Sequence, residues 1–510
     1  MKVKIRRQLN RRKRRIERRL NKFNVEGCER PMFTASNIHY EISERDRGIA
    51  HGGIGAMHAL ANRFGLAEAI DRRLVLFKFH LPYHESDHVL NIAYNALCGG
   101  TCLEDIELRR NDEVFLDALG ARRIPDPTTA GDFCRRFRGP ADIHALQNAF
   151  HAVRFKVWAQ QPAAFFDQAI IDMDGTLVGT TGSCKQGMDI SYKGSWGYHP
   201  LIVSLANTGE VLSIVNRSGN RPSHEGAAAE IDRCVAICFK GGFRRILLRG
   251  DTDFSQTKYL DGWQANPKIK FVFGYDSCAT LKDRAENLPS REWKKLERPP
   301  RYEVATKERQ RPENVKDRVV KQRQFDTLRL NSEEVAEFNY TPTECKVQYR
   351  MVVIRKNITK EKGELRLHDE IRYFFYITND WASDRHEIVF AANDRCNQEN
   401  LNAQLHSGCR ALAAPVDSLE SNWAYMVMVA LAWDLKAWLA LALPEGVGRH
   451  QEKYRSDKRW LLGLEFKTFV QAFVRMPCQI VRTGRRIVYR LLSWNPYQAI
   501  FFRLLDALRC

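Results

Sequence analysis

The chain lacks any CxxC pair and any repeating cysteine framework, and its first 24 residues hold a single acid, Glu17. Its thirteen cysteines are an odd number, and the closest pairs, Cys98/Cys102 and Cys234/Cys238, stand at helical i,i+4 spacing. This spacing excludes a disulfide scaffold and predicts reduced thiols. The apolar stretch of about 7–15 residues that a secretory signal needs is also missing, so a cytoplasmic protein is expected. Long apolar runs are scarce too. One segment, residues 423–443, imitates a membrane span, but Asp434 and Lys436 lie near its middle. Each costs about 2.5–3.5 kcal/mol at the centre of a bilayer helix, so the segment reads as a buried core helix and no membrane partner is expected.

What is abundant is positive charge. At 510 residues and 44 % hydrophobic content the chain can build more than one core. Eighty Lys and Arg against 61 Asp and Glu give +19, which favours a polyanionic partner. Residues 1–24 hold twelve of the basic residues, for a net +11. Ile5, Leu9, Ile16, Leu20 and Phe23 recur at helical spacing among them, which predicts an arm that is helical on a phosphate backbone. Arg6, Arg7, Arg11, Arg12, Lys13, Arg14 and Arg15 are its candidate DNA contacts.

Composition and breaks divide the chain into a basic arm (1–27), a helical N-terminal DNA-binding region (28–160), a first core segment (161–277), a charged β-containing insertion (278–370), a second core segment (371–445) and a basic helical C-terminal region (446–510). Residues 128–137 read as a capped helix with a basic face carrying Arg135 and Arg136, and the C-terminal region adds Arg482 and Arg485. His80, His84 and His88 are four apart, but Pro82 interrupts any helix that would align them, so they read as surface or cap residues rather than zinc ligands. Trp293 in the insertion could stack on an unpaired base, but burial against the insertion's own strands is the expectation.

The chain is organised around residues 165–176, an apolar run that reads as a buried strand ending in Asp172 and Asp174. Two carboxylates on one face of such a strand are costly unless a cation or a proton offsets them. A hairpin is expected over residues 198–216, then a helix over 223–239, a second buried strand ending at Asp251, another helix and a strand over 269–275. Residues 384–406 are helical in pattern and set Arg395 and Glu399 one turn apart. Phosphodiester chemistry needs neutralised charge at phosphorus and an activated oxygen nucleophile. Two Mg²⁺ ions about 3.5–4 Å apart on oxygen ligands supply both, with Mn²⁺ able to substitute. Asp174, Asp251 and Glu399, separated by 77 and 148 residues, suit that demand.

At these residues the chain resembles the DDE transposases of bacterial insertion sequences, specifically the insertion-sequence-1380 group. The likeness rests on YHESDHVL (83–90) running to LED (103–105), DPTTAGDFCRRF (126–137), DMDGT (172–176), RGDTDF (249–254), DRCNQEN (394–400) and IVRTGR (480–485), in family order over about residues 48–508. It implies an α/β multidomain protein in which a ribonuclease-H-like mixed sheet with flanking helices is interrupted by the β-rich insertion. It also implies that Asp174, Asp251 and Glu399 bind the metal ions. Asp174 is preferred over Asp172 because Thr176 completes the family's Asp-x-Thr pattern, which leaves Asp172, Arg395 and Asn397 as supporting or DNA-contacting residues. Ala392 and His406 stand where the related third motif has Tyr and Lys. The implied partners are double-stranded DNA, as terminal inverted repeats and target, and a second copy of the chain; the implied location is the bacterial cytoplasm, on the nucleoid when bound to DNA.

Two rival readings make different predictions. DMDGT also resembles the nucleophile loop of haloacid-dehalogenase-like phosphatases, with Asp172 attacking phosphorus and Asp174 as general acid/base. That fold expects a helix after the first strand, where this sequence offers a hairpin. A non-catalytic DNA-binding descendant would keep the fold without strand cleavage.

Overall fold

A computed structural model of the chain describes residues 3–20, 35–43, 45–80, 82–298, 315–363, 365–446, 448–484 and 486–509. It forms two compact units, one of Met1–Phe165, Thr176–Arg221 and Asn400–Cys510, the other of Phe166–Gly175 and Pro222–Glu399.

The second unit is built on a mixed sheet. Its strands in chain order are β1 (Ala169–Gly175), β2 (Ile246–Gly250), β3 (Ile269–Tyr275), β4 (Lys294–Lys295), β5 (Asp326–Tyr340), β6 (Tyr349–Lys362) and β7 (Leu365–Thr378). Across the sheet they run β4-β5-β6-β7-β3-β2-β1. β1, β2 and β3 are parallel to one another. Parallel strands need crossovers, and the helices α1 (Ala227–Lys240) and α2 (Thr257–Gln264) provide them, with α3 (Ala279–Glu286) following β3. In α1 the buried residues Ala227, Ile231, Cys234, Val235 and Cys238 recur at one turn, giving it one apolar stripe to lay on a sheet.

The insertion forms more strand than its sequence predicts. Strands are expected over 347–355 and 371–378, yet β5 occupies a stretch that reads as charged coil. Cross-strand pairing explains this: Glu333 faces Lys356 and Glu334 faces Arg355 on the β5/β6 ladder, with ion pairs of 3.0 and 2.8 Å. Nor is the insertion a separate layer. β7 pairs antiparallel with β3 through Phe375–Tyr275 to Thr378–Val272, so the insertion's ladder and the parallel strands share one sheet. Val272, Val335, Val352 and Ile354 build a core there with Ile388 and Val389 of α4 (Arg385–Asn393).

The helix expected over 384–406 is broken. α4 starts with a capping box between Asp384 and Glu387 and ends at Asn393; after a turn at Asp394 and Arg395, α5 (Cys396–Ala403) begins. Asn and Asp favour helix ends because their short polar side chains compete for backbone hydrogen bonds.

The first unit is largely helical. Its centre is the helix Leu419–Leu441, in which every residue from Ser421 to Leu441 is buried. That helix is long and apolar enough to cross a membrane, yet it is wholly covered by protein. Asp434 and Lys436 are satisfied inside: Arg154 donates to Asp434 at 2.6 Å and to Glu210 at 3.0 Å, and Lys436 Nζ donates to the Leu462 carbonyl at 2.8 Å. The expected hairpin is present as Leu201–Leu205 and Glu210–Val215. The C-terminal region is not wholly helical as expected, for Cys478–Thr483 and Arg486–Leu491 form an antiparallel hairpin joined by Gly48–Ile49. The cause is legible in Ile480, Val481, Ile487, Val488 and Tyr489, β-formers on both sides of a turn at Gly484.

Candidate active site

The register of two parallel strands builds the site. Asp172 lies opposite Arg249 on β1 and β2, so two residues further on Asp174 and Asp251 leave the same edge of the sheet side by side. Arg249 is buried and donates to both oxygens of the buried Asp172 at 2.7 Å, while its Nη1 reaches the Ala391 carbonyl of α4 at 3.0 Å. Burial pushes the Asp172 carboxyl up, and the guanidinium works against that. Arg249 thus ties the first acid's strand to the helix that leads to Arg395 and Glu399. Sequence pattern alone gives Arg249 no role; its signal is that it precedes Asp251 by the same two residues that separate Asp172 from Asp174.

Asp251 caps the short helix Thr252–Phe254, accepting a hydrogen bond from the Asp253 amide at 3.1 Å. Asp174 is half-buried, and desolvation followed by the Asp251 charge pushes its carboxyl up to about 7, against the pull of Arg395. Burial also raises Asp251, again opposed by Arg395. The turn between α4 and α5 brings the third acid in: the Arg395 guanidinium lies 3.9 Å from Asp251 and 3.9 Å from the exposed Glu399. Glu399 also contributes to raising Asp174. Asn397 is exposed on the same helix. Among the described residues no three His, Cys, Asp or Glu side chains are drawn together tightly enough to grip an ion. Their chemistry nonetheless fits one. The donors are hard carboxylate oxygens, and a carboxyl that burial and a neighbouring acid push up is a place where a divalent cation lowers the energy. Asp172 is poorly placed to be a phosphatase nucleophile, being 1 % exposed with each oxygen held by Arg249.

The basic residues singled out from sequence lie in the first unit. The arm is the helix Val3–Leu20, with a half-buried stripe of Ile5, Leu9, Arg12 and Ile16. Arg12 donates to the carbonyls of Leu491 and Ser493 at 2.8 and 3.2 Å. Arg6, Arg7, Arg11, Lys13, Arg14 and Arg15 are exposed, and a cleft of about 1110 Å³ is lined by several of them together with Arg490. Arg135 is engaged by Asp132 and Asp417, each at 2.9 Å, and Arg136 sits 4.9 Å from the Phe77 ring centre. Arg482 is exposed and reaches Asp117 at 3.4 Å. Phe23 and Arg485 lie outside the described residues. The three histidines do not converge: His80 stacks on His84, whereas His88 is buried against Phe133.

A mixed α/β protein whose parallel strands deliver acids to one edge of a sheet is therefore the class that fold and site define. The transposase DDE domain, group 1, matches residues 46–510, and the chain belongs to that family. It is a transposase, an enzyme that cuts DNA at the ends of a mobile element and transfers it to a target, in a family that works with divalent metal ions. The chain is also similar to a piggyBac transposase solved by cryo-EM as a synaptic complex with hairpin DNA, at 12 % identity over 83 % of this chain and 82 % of that one, with a TM-score of 0.34. No curated protein matches it.

Proposed function

We propose that Asp174, Asp251 and Glu399 are the metal-binding acids of this transposase and that they hold two Mg²⁺ ions, with Mn²⁺ able to substitute. The observation that carries this reading is the β1/β2 register, which sets Asp174 beside Asp251 in a site dry enough to hold the Asp174 carboxyl at about 7. Ions held there supply charge neutralisation at phosphorus and a more acidic attacking water. The protein's own part is positioning, which dominates phosphoryl transfer. Arg249 clamps Asp172 so that the strand cannot shift, and Arg395 holds Asp251 and Glu399 toward one another and offers positive charge to a phosphate.

The sheet is a ribonuclease-H-like core, and the chain falls in the insertion-sequence-1380 group, on the strength of the ordered motifs and of the strand, hairpin, helix, strand, helix, strand succession. It acts by cut-and-paste: two copies of the chain pair two inverted-repeat ends, free a 3′-hydroxyl at each and direct it at target DNA, in the bacterial cytoplasm on the nucleoid. The exposed arginines of the arm, with Arg482 and Arg485, hold the duplex.

The test is an excision assay with Asp174→Asn, Asp251→Asn and Glu399→Gln made singly. Each is expected to lose about 10²–10³-fold or more in strand cleavage while still binding duplex DNA. A variant that cleaves like the parent protein removes that acid from the site.

A further inference from the structure

Soon after β1 the chain enters a small three-stranded sheet that the sequence did not announce. Its strands are Val178–Gly179, Asp189–Ile190 and Trp196–Tyr198, with the last in the middle. Val178, which pairs with Tyr198, follows Asp174 by only four positions in the chain.

The base of this sheet is clamped. Tyr198 is fully buried and donates to the Gln186 carbonyl at 2.8 Å, Asn220 Nδ2 donates to Asp189 at 2.7 Å, and Ser218 donates to the Gly187 carbonyl at 2.6 Å. Lys185 Nζ donates to the Val416 carbonyl at 3.0 Å, and the Gln186 amide to the Asp417 carbonyl at 2.7 Å. Glycine is required at 197, where a Cβ would lie 2.0 Å from the Val178 carbonyl oxygen.

The tip is the opposite. Ile190 and Trp196 are cross-strand partners and so project from one face. Ile190 is 46 % exposed, Trp196 53 % and, at the turn between them, Tyr192 80 %. Lys193 Nζ stands 5.3 Å from the Tyr192 ring centre, and Gly194 at φ 75° closes the turn. Single exposed apolar residues are ordinary. Three within seven residues at the tip of a hairpin with a clamped base, two of them flat rings and one of those beside a cation, form a surface suited to a partner.

We propose that this hairpin is a stacking platform for unpaired DNA bases, with Trp196 and Tyr192 offering ring faces and Lys193 holding the adjoining phosphate. The inference rests on the chain's action on DNA. Flat aromatic faces can stack only on bases that have left the duplex or stand at its end, and a lysine beside them matches the backbone charge. Trp293, the tryptophan singled out in the sequence for such a role, cannot perform it. It is 8 % exposed, with the Arg355 guanidinium 4.2 Å from its ring centre.

The test uses the full chain with two probes, a fluorescein-labelled oligo-dT strand and a blunt duplex of equal length, read by fluorescence anisotropy. Tyr192→Ala with Trp196→Ala is expected to weaken oligo-dT binding by about tenfold or more, because each missing ring forfeits a stacked base, and to change duplex binding by under about threefold. Tyr192→Phe with Trp196→Phe should restore most of the loss. In the unaltered protein, ultraviolet crosslinking of a 5-iododeoxyuridine strand should map to residues 189–196, a readout independent of whether the alanine variant folds. Unchanged oligo-dT affinity, an equal loss for the duplex, or crosslinks confined elsewhere overturns the platform while leaving DNA binding intact. A dimer that the alanine variant converts to monomer with oligo-dT affinity unchanged assigns the face to a second copy instead. If the parent protein binds neither probe, its action on DNA fails along with the platform.

Discussion

Arg249 and Asp172 carry opposite charges within a nearly dry site, and their bidentate pairing makes each tolerable only in the presence of the other. Arg249→Ala is therefore expected to cost about 3–5 kcal/mol in urea denaturation, by leaving a buried carboxylate unpaired. Adding Asp172→Asn should recover part of that cost, and strictly additive losses would show that the two do not act as a pair. Lys436 makes a prediction with a defined pH window. Burial lowers its pKa to about 7 in the folded chain, against about 10.4 when unfolded. Between these values the unfolded chain binds the extra proton, so the contribution to stability grows as pH rises from 7 toward 10 and is lost as pH falls through 7. The parent protein's melting temperature should thus rise relative to Lys436→Met between pH 7 and 9.5, and parallel curves would count against a neutral buried lysine. At this scale the sequence shows the candidate acids and their spacing. It did not reveal which would be clamped, because that depends on a register between residues 77 positions apart.

At the scale of elements, hydrophobic period and turn chemistry were legible wherever one face is buried. The central helix, the 201–215 hairpin and the β1–α1–β2–α2–β3 succession all follow from such patterns. The pattern fails where charges pair across strands, as along β5 and β6, since Glu333 and Lys356 look like solvated coil until they face one another. It also fails in the C-terminal hairpin and at the break between α4 and α5. The arm illustrates the reverse case: its apolar stripe is readable, and its arginines other than Arg12 are left outward. Removing residues 1–20 should make duplex binding less dependent on salt, flattening the log–log slope by about 0.9 for each phosphate that is no longer neutralised. Anisotropy titrations across several NaCl concentrations measure this, and an unchanged slope would free the arm of that role.

For the molecule as a whole, the +19 charge and the carboxylate site make separable demands. Affinity for DNA comes from arginines and lysines, whereas cleavage in this family needs divalent cations, which we propose the acids hold. Chelation with EDTA should accordingly abolish strand cleavage and leave duplex affinity within about threefold, because the groups that supply affinity are organic cations. Loss of both together would place the metal in DNA binding. The sequence by itself determined the family and the basic, partner-seeking charge, and it set the order and spacing of the candidate acids, because these are properties of residue type and order. Only the tertiary structure decided that Arg249 locks Asp172, that Arg395 spans Asp251 and Glu399, and that Trp196 and Tyr192 stand exposed on one hairpin. Those outcomes depend on pairing and burial between distant segments, and no local pattern encodes them.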